Sequence, residues 1–203
     1  MNNKYYLILK RIIDFLLALS GLVILSPVFF VIMCAIKLDS KGPIFFKQQR
    51  IGKGKKIFYI YKFRSMKADT PHEMPTHLLG NPDSYITKVG HFLRTTSLDE
   101  LPQLVNILKG EMAVIGPRPA LYNQDDLISY REIYHANDIR PGLTGLAQIN
   151  GRDELPIDIK ARFDGEYVNK MSFFTDARIF IRTIVKVFKR DGILEGDQKT
   201  KND

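Results

Sequence analysis

The chain has 203 residues, enough for a membrane-inserted segment and one domain of about 160 residues with a core of its own. Its 30 Lys+Arg against 22 Asp+Glu give a formal net charge of +8, which favours anionic partners: anionic lipid, nucleic acid or phosphorylated substrates. A single cysteine, Cys34, excludes an internal disulfide framework and suits a reducing compartment.

No residue from Phe15 to Ile36 is charged, and at ~1.5 Å per residue that run reaches roughly 33 Å, enough to span a bilayer. It exceeds the apolar core of a signal peptide and no A-x-A-like cleavage site follows, so the sequence predicts a retained segment. Ser26-Pro27 interrupts it near the middle. Proline has no N–H and frees the carbonyl of Val23, at a cost of ~3 kcal/mol in an ordinary helix. The Ser26 hydroxyl can bond back to a carbonyl one turn earlier. Two arrangements follow: a kinked single pass, or a re-entrant hairpin bent at the Ser-Pro pair. Lys4, Lys10 and Arg11 precede the run, and Lys37, Lys41 and Lys47 follow it. A single pass puts one of these clusters outside, against the positive-inside rule, whereas re-entry keeps both on the cytoplasmic face. Asp14, four residues after Lys10, can pair with it at the helix entrance.

Next come "GPIFFKQQRIG" and "KKIFYIYKFRSM", aromatic and β-branched runs around a Gly- and Lys-rich turn at 52–56, which predict a β-hairpin. In its second strand Phe58, Ile60, Lys62 and Arg64 share a face, so two cations emerge together where the strand ends. A solvated edge decorated with lysine is the plainer explanation. Residues 67–84 read as a long loop. Its "HEMPTH" is no zinc motif, because His72 and His77 are five apart with Pro75 between them and share no helix face. "GKGKKI" lacks the third glycine of a dinucleotide fingerprint.

The densest chemical signal is "FLRTTSLDELPQLVNILKGEM". Leu101, Leu104, Val105 and Leu108 have helical spacing, and Pro102 is tolerable only in a first turn. The expected helix therefore begins near Thr96–Asp99, with Asp99 and Glu100 at its N-terminus, where the dipole favours an ionised carboxylate. Plain capping accounts for the pair too, since Ser97 with Glu100 matches S-x-x-E. The functional alternative is an ionised Asp nucleophile beside a second carboxylate, with Arg94 just upstream to meet a phosphate.

Two later segments read as rigid loops. "IGPRPA" pins Arg118 between prolines, ordering a guanidinium for bidentate phosphate contact. "RPGLTGLAQINGR" carries Arg140, Gln148, Asn150 and Arg152 with three glycines, a polar binding loop or a turn-rich connector rather than a core element. Finally, Phe173, Ala177, Phe180, Ile181, Ile184 and Phe188 form one stripe, and Arg178, Arg182, Lys186 and Lys189 another. Such a basic amphipathic helix lies in a membrane interface or packs its stripe on the domain core. Residues from 191 onward are polar and predict no structure.

"KRIIDF", the Ser-Pro break, "GPIFFKQQRIGKGKK", "IYKFRSM", "LRTTSLDELPQL", "GPRP" and "RPGLTGLAQINGR" together resemble the bacterial sugar transferase family. The match is to its small members, the monotopic phosphoglycosyl transferases, and covers Lys10 to about Gly192. The resemblance implies an α+β fold: a re-entrant membrane helix over residues 1–42, broken at Ser26-Pro27, then a catalytic domain over 43–192 with a β-hairpin and interfacial amphipathic helices, and a tail over 193–203. It implies transfer of a sugar-1-phosphate from a UDP-sugar to undecaprenyl phosphate with release of UMP, at the cytoplasmic face of the bacterial inner membrane and in contact with its lipids. Asp99 would be the nucleophile of a phosphosugar–aspartyl intermediate and the Mg²⁺ ligand, with Glu100 completing the dyad. Lys62, Arg64, Arg94, Arg118, Arg140, Gln148 and Arg152 are the candidate phosphate and substrate contacts. Ala113 departs from the Ser often found before "GPRP". The resemblance does not select the sugar or the oligomeric state, a homodimer being one arrangement.

Two other functions compete. A membrane-tethered nucleic-acid-binding protein needs a basic stripe with interleaved aromatics and no carboxylate pair among its cations, so Asp99-Glu100 argues against nucleic acid. A membrane-bound UDP-sugar diphosphate hydrolase would release free sugar phosphate without a lipid acceptor.

Overall fold

In the computed structural model the described residues are 4–70, 84–151 and 155–189. His72, His77, Arg152 and the tail from 193 fall outside them. The chain is α+β, and among the described residues helices dominate two small sheets.

Helices α1 (Lys4–Ile24) and α2 (Ser26–Asp39) form a pair bent by 61°. No single helix among the described residues is long and apolar enough to cross a membrane, whereas this bent pair has the length and composition together. Pro27 sits in the first turn of α2, where a missing N–H is tolerated. Ser26 Oγ donates to the Val23 carbonyl at 2.8 Å, the oxygen that proline deprives of its helical donor. Around the bend the apolar side chains stand free: Ile24 is 72% exposed and Val31 65%.

Both limbs pack on the domain. On α1, Ala18 is fully buried, and a Cβ on Gly21 would lie 3.2 Å from Leu104. Lys10 reaches Asp14 at 3.5 Å, the expected i,i+4 pair, and Asp176 at 2.6 Å. Asp14 does more than meet Lys10 at the helix entrance: it is buried and accepts from Val114 N–H at 3.1 Å. On α2, Ile32 and Ile36 pack with Phe63 and Leu93.

Strands β1 (Phe45–Ile51) and β2 (Ile57–Phe63) form the expected antiparallel hairpin, with Gly54 and Lys55 at φ 64° and 61° in its turn. Phe58 and Ile60 point into the main core, which fixes the face on which Lys62 follows. Helix α3 (Lys88–Thr95) is capped by Thr87, whose Oγ1 accepts from Gly90 N–H at 3.0 Å. Helix α4 (Gln103–Lys109) starts later than the sequence predicts. Pro102 is its N-cap, and Leu98–Glu100 form a separate 3-10 turn that carries both carboxylates. Ser97 precedes that turn at φ 57° and makes no side-chain cap bond, so no capping box forms.

Strands β3 (Ala113–Ile115) and β4 (Gly142–Thr144) pair in parallel. The segment read as a polar loop is therefore largely core: it supplies β4, and Ile149 is buried with Leu143 and Leu146 packed beside it. Its glycines permit that. A Cβ on Gly142 or Gly145 would come 2.1 Å from the backbone of Gly116, closer than any side chain allows.

Helices α5 (Asp125–Ile133) and α6 (Ile157–Lys170) join through a buried ion pair, Arg131 Nη2 to Asp164 Oδ2 at 2.6 Å. Helix α7 (Phe173–Lys189) packs by an unforeseen face. Ile179 is buried, Asp176 accepts from Lys10 and Tyr167, and Thr183 bonds Thr144 at 2.8 Å. Of the expected stripe, Phe173, Phe180, Ile181 and Ile184 face outward, with Phe180 and Ile184 about two-fifths exposed, so these residues do not cover the core.

Asp164→Ala leaves Arg131 buried and uncompensated, and stability should fall by about 3–5 kcal/mol. Thermal unfolding of the purified protein measures this, and an unchanged melting temperature contradicts it.

Candidate active site

The 3-10 turn places Asp99 and Glu100 against β2. Lys62 Nζ donates to Glu100 Oε1 at 2.7 Å and stands 3.6 Å from Asp99 Oδ2. Arg118, on the loop after β3, donates from Nη2 to the same Glu100 oxygen at 3.1 Å. Arg94, on the last turn of α3, is near enough for its charge to act on Asp99. Three elements, β2, the end of α3 and the loop after β3, thus bring cations to two adjacent carboxylates.

Their electrostatics differ. Burial pushes Asp99 above the ordinary carboxylate range; Lys62 opposes this, Glu100 adds to it, and Arg94 and Arg118 oppose it more weakly. Glu100 feels burial too, but Arg118 and Lys62 outweigh it and hold its carboxyl well below the usual range. Glu100 is the anion that organises the cations. Asp99 is the carboxylate whose charge is still short of partners.

Among the described residues no group of three or more His, Cys, Asp or Glu could hold a metal ion. Magnesium does not require one, since it takes one or two protein carboxylates and completes its shell with substrate phosphates and water. One Glu100 oxygen is committed to two cations, whereas Asp99 has the longer contact to Lys62. Asp99 therefore fits such an ion.

Other sequence candidates stand elsewhere. Arg64 is buried, and its guanidinium donates to the Ser40 carbonyl at 2.7 Å, to Ser40 Oγ at 2.8 Å and to the Lys41 carbonyl at 3.0 Å. It closes the C-terminal end of α2 instead of emerging beside Lys62. Arg140 donates from Nε to the Gly110 carbonyl at 2.8 Å, just beyond the far end of α4. Gln148 is buried and donates to the Leu143 carbonyl at 3.0 Å, while its Oε1 has no hydrogen-bond partner among the described residues. Sequence reasoning missed Arg11, which grips the Ile107 and Leu108 carbonyls at 2.6 and 2.9 Å. It also missed Asn106. A poor helix former inside a short apolar helix was the available signal.

A family model described as bacterial sugar transferase matches residues 5–190. The chain belongs to the bacterial sugar transferase family. It is 38% identical over 195 residues to a UDP-glucose:undecaprenyl-phosphate glucose-1-phosphate transferase of Xanthomonas campestris pv. campestris, covering 92% of this chain and 40% of that protein. The relative of the same description in Escherichia coli (strain K12) is 40% identical over 190 residues, covering 89% and 40%. The exopolysaccharide production protein PSS of Rhizobium leguminosarum bv. phaseoli is 40% identical over 194 residues, covering 91% and 97%. The chain thus spans about 40% of the length of the first two relatives and nearly all of the third.

In this family member, Lys62→Met removes the cation that acts most strongly on Asp99. The Asp99 titration should then move to still higher pH. Carboxyl ¹³C NMR of metal-free protein reads the shift, and an unmoved Asp99 resonance contradicts the electrostatic assignment.

Proposed function

We propose that this bacterial sugar transferase moves a sugar-1-phosphate from a UDP-sugar onto undecaprenyl phosphate, releasing UMP, as an early step of bacterial glycan synthesis. The observation that carries the reading is the buried Asp99-Glu100 pair, held by Lys62 and Arg118 with Arg94 nearby. A diphosphate needs cations before an anionic nucleophile can approach it. The names of the Xanthomonas and Escherichia relatives describe this reaction for glucose.

The chemistry divides into two displacements. An Asp99 carboxylate oxygen attacks the sugar-bearing phosphorus; an Asp99 O–P bond forms, and the P–O bond to UMP breaks with its electron pair leaving on UMP. A phosphate oxygen of undecaprenyl phosphate then attacks the same phosphorus and displaces Asp99 as a carboxylate. Glu100 holds Lys62 and Arg118 toward the diphosphate. Arg94 and Arg118 offset charge on the phosphates. Mg²⁺, when bound at Asp99, supplies the further positive charge that a diphosphate and a buried carboxylate require. Arg64 and Arg140 spend their guanidinium groups on backbone carbonyls and stand apart from these phosphate contacts.

The bent pair α1–α2 is assigned to the cytoplasmic leaflet of the inner membrane as a re-entrant hairpin, with the outward stripe of α7 at the lipid surface. The 61° bend and the exposed apolar apex support this placement. Cysteine labelling in intact cells should find positions 3 and 41 both inaccessible from outside. Labelling of position 3 from the exterior restores a single pass.

Asp99→Asn is nearly isosteric but cannot serve as the nucleophile and is a poorer magnesium ligand. Turnover should fall by orders of magnitude. Given a UDP-sugar without lipid acceptor, the parent should release at most about one UMP per active site and gain the mass of a sugar phosphate. Asp99→Asn should do neither. Substantial turnover by the variant sinks the covalent route and leaves direct transfer between the substrates.

A further inference from the structure

Asn106 lies in the middle of α4 with no solvent exposure. Its Oδ1 accepts from Tyr61 N–H at 3.0 Å. Its Nδ2 donates to the Tyr59 carbonyl and to Glu111 Oε2, each at 2.7 Å. Residues two apart in a strand direct their backbone groups to the same edge, and β1 already occupies the opposite edge of β2. The amide therefore stands where a third strand would, supplying one acceptor and one donor. A hydroxyl or a carboxylate lacks that pair of separate, fixed groups. Glu111 completes the device: a carboxylate only accepts, so it fixes which end of the amide is the nitrogen.

This contact sets the register between α4 and β2. Lys62 directly follows Tyr61, and only Leu101 and Pro102 separate Glu100 from the start of α4. The path from the carboxylates to Asn106 is continuous, because Leu104 N–H bonds the Leu101 carbonyl and Val105 N–H the Pro102 carbonyl, both at 3.1 Å. A slip of one residue along a strand moves the contact by ~3.3 Å and reverses every side chain. Such a slip would separate Lys62 Nζ from Glu100, now at 2.7 Å, and from Asp99, at 3.6 Å.

We propose that Asn106 is a positioning residue for the transfer reaction: by docking its amide between Tyr59 and Tyr61, it holds Lys62 against the Asp99-Glu100 pair. The role rests on the reading of that pair given above. It touches no substrate and acts only through where Lys62 sits.

Asn106→Asp keeps the shape but turns an oxygen toward the Tyr59 carbonyl and the Glu111 carboxylate, loosening the dock. The expected result is a fall in kcat on the order of 10- to 100-fold, with KM for the UDP-sugar little changed. The decisive measurement is a cycle with Lys62→Met. If Asn106 acts through Lys62, the double variant is no slower than Lys62→Met alone. Losses that multiply overturn the inference, as does an unchanged kcat in Asn106→Asp. Glu111→Ala keeps Asn106 and both strand bonds and serves if Asn106→Asp fails to fold. Its smaller loss should likewise vanish in the Lys62→Met background, and a loss that persists there overturns the inference. Full activity of Lys62→Met removes the site reading and this role with it. That outcome differs from a Lys62-dependent enzyme with multiplying losses, in which only the role of Asn106 fails.

Discussion

Two adjacent carboxylates in a buried turn repel each other and lose their hydration, and neither cost can be met by the turn that carries them. Compensating charge must come from elsewhere in the chain. Lys62 comes from β2, Arg118 from the loop after β3 and Arg94 from the end of α3. Each is delivered by an element whose own packing is apolar: Phe58 and Ile60 seat β2, Val114 and Ile115 seat β3, and Leu93 seats α3. The arrangement leaves Asp99 and Glu100 unequal. Glu100 is held low by two cations, whereas Asp99 is raised by burial and would be relieved by a further positive charge.

The helix that follows the pair is too short to hold itself. Seven residues fall well below the length at which a helix persists alone, so tertiary contacts must supply its stability. They act on three sides. Ala18 and Gly21 of α1 lie against its back, Arg11 grips its last carbonyls, and Asn106 fastens it to β2. Arg140 reaches the Gly110 carbonyl just past its end. Clamping α4 at its far end limits how its near end, with the carboxylates, can drift.

Much of this was legible in sequence, and the failures share a cause. Local periodicity gave the hairpin, and the Ser26-Pro27 pair gave the bend together with the Ser26–Val23 bond. The Asp99-Glu100 pair stood out because acidic residues flanked by Arg94 and Arg118 are chemically unusual. What could not be read was the direction of long side chains. Lys62 and Arg64 share a strand face, yet one ends at the carboxylates and the other at the carbonyls closing α2. That difference is set by α2 lying across the strand end, a contact between residues 24 positions apart. The α7 stripe left two placements open for a related reason. Its packing face is held by Asp176 and Thr183, whose polar bonds no hydrophobic pattern reveals. The glycine-rich segment looked like a loop because its core role rests on backbone approach at Gly116, Gly142 and Gly145, not on apolar side chains alone.

The bent helix pair also bears on the chemistry. The cluster around Phe63 and Leu93 includes Ile32 and Ile36 from α2 and, packed against them, Leu98 and Leu101, the residues that bracket the carboxylate turn. Burial is the largest influence on Asp99, and α2 belongs to the apolar cluster against which the residues on either side of the pair, Leu98 and Leu101, are packed. Arg64 ties the end of that limb to the domain, and Asp39 accepts from Val89 N–H at 3.1 Å at the start of α3, the helix that ends near Arg94. A displacement of α2 would thus act on the site in two ways at once. It would admit water beside Asp99, weakening each Coulomb interaction there, and it would release the helix that brings in one of the compensating charges. The apolar pair is therefore tied to the elements that carry the site's charges.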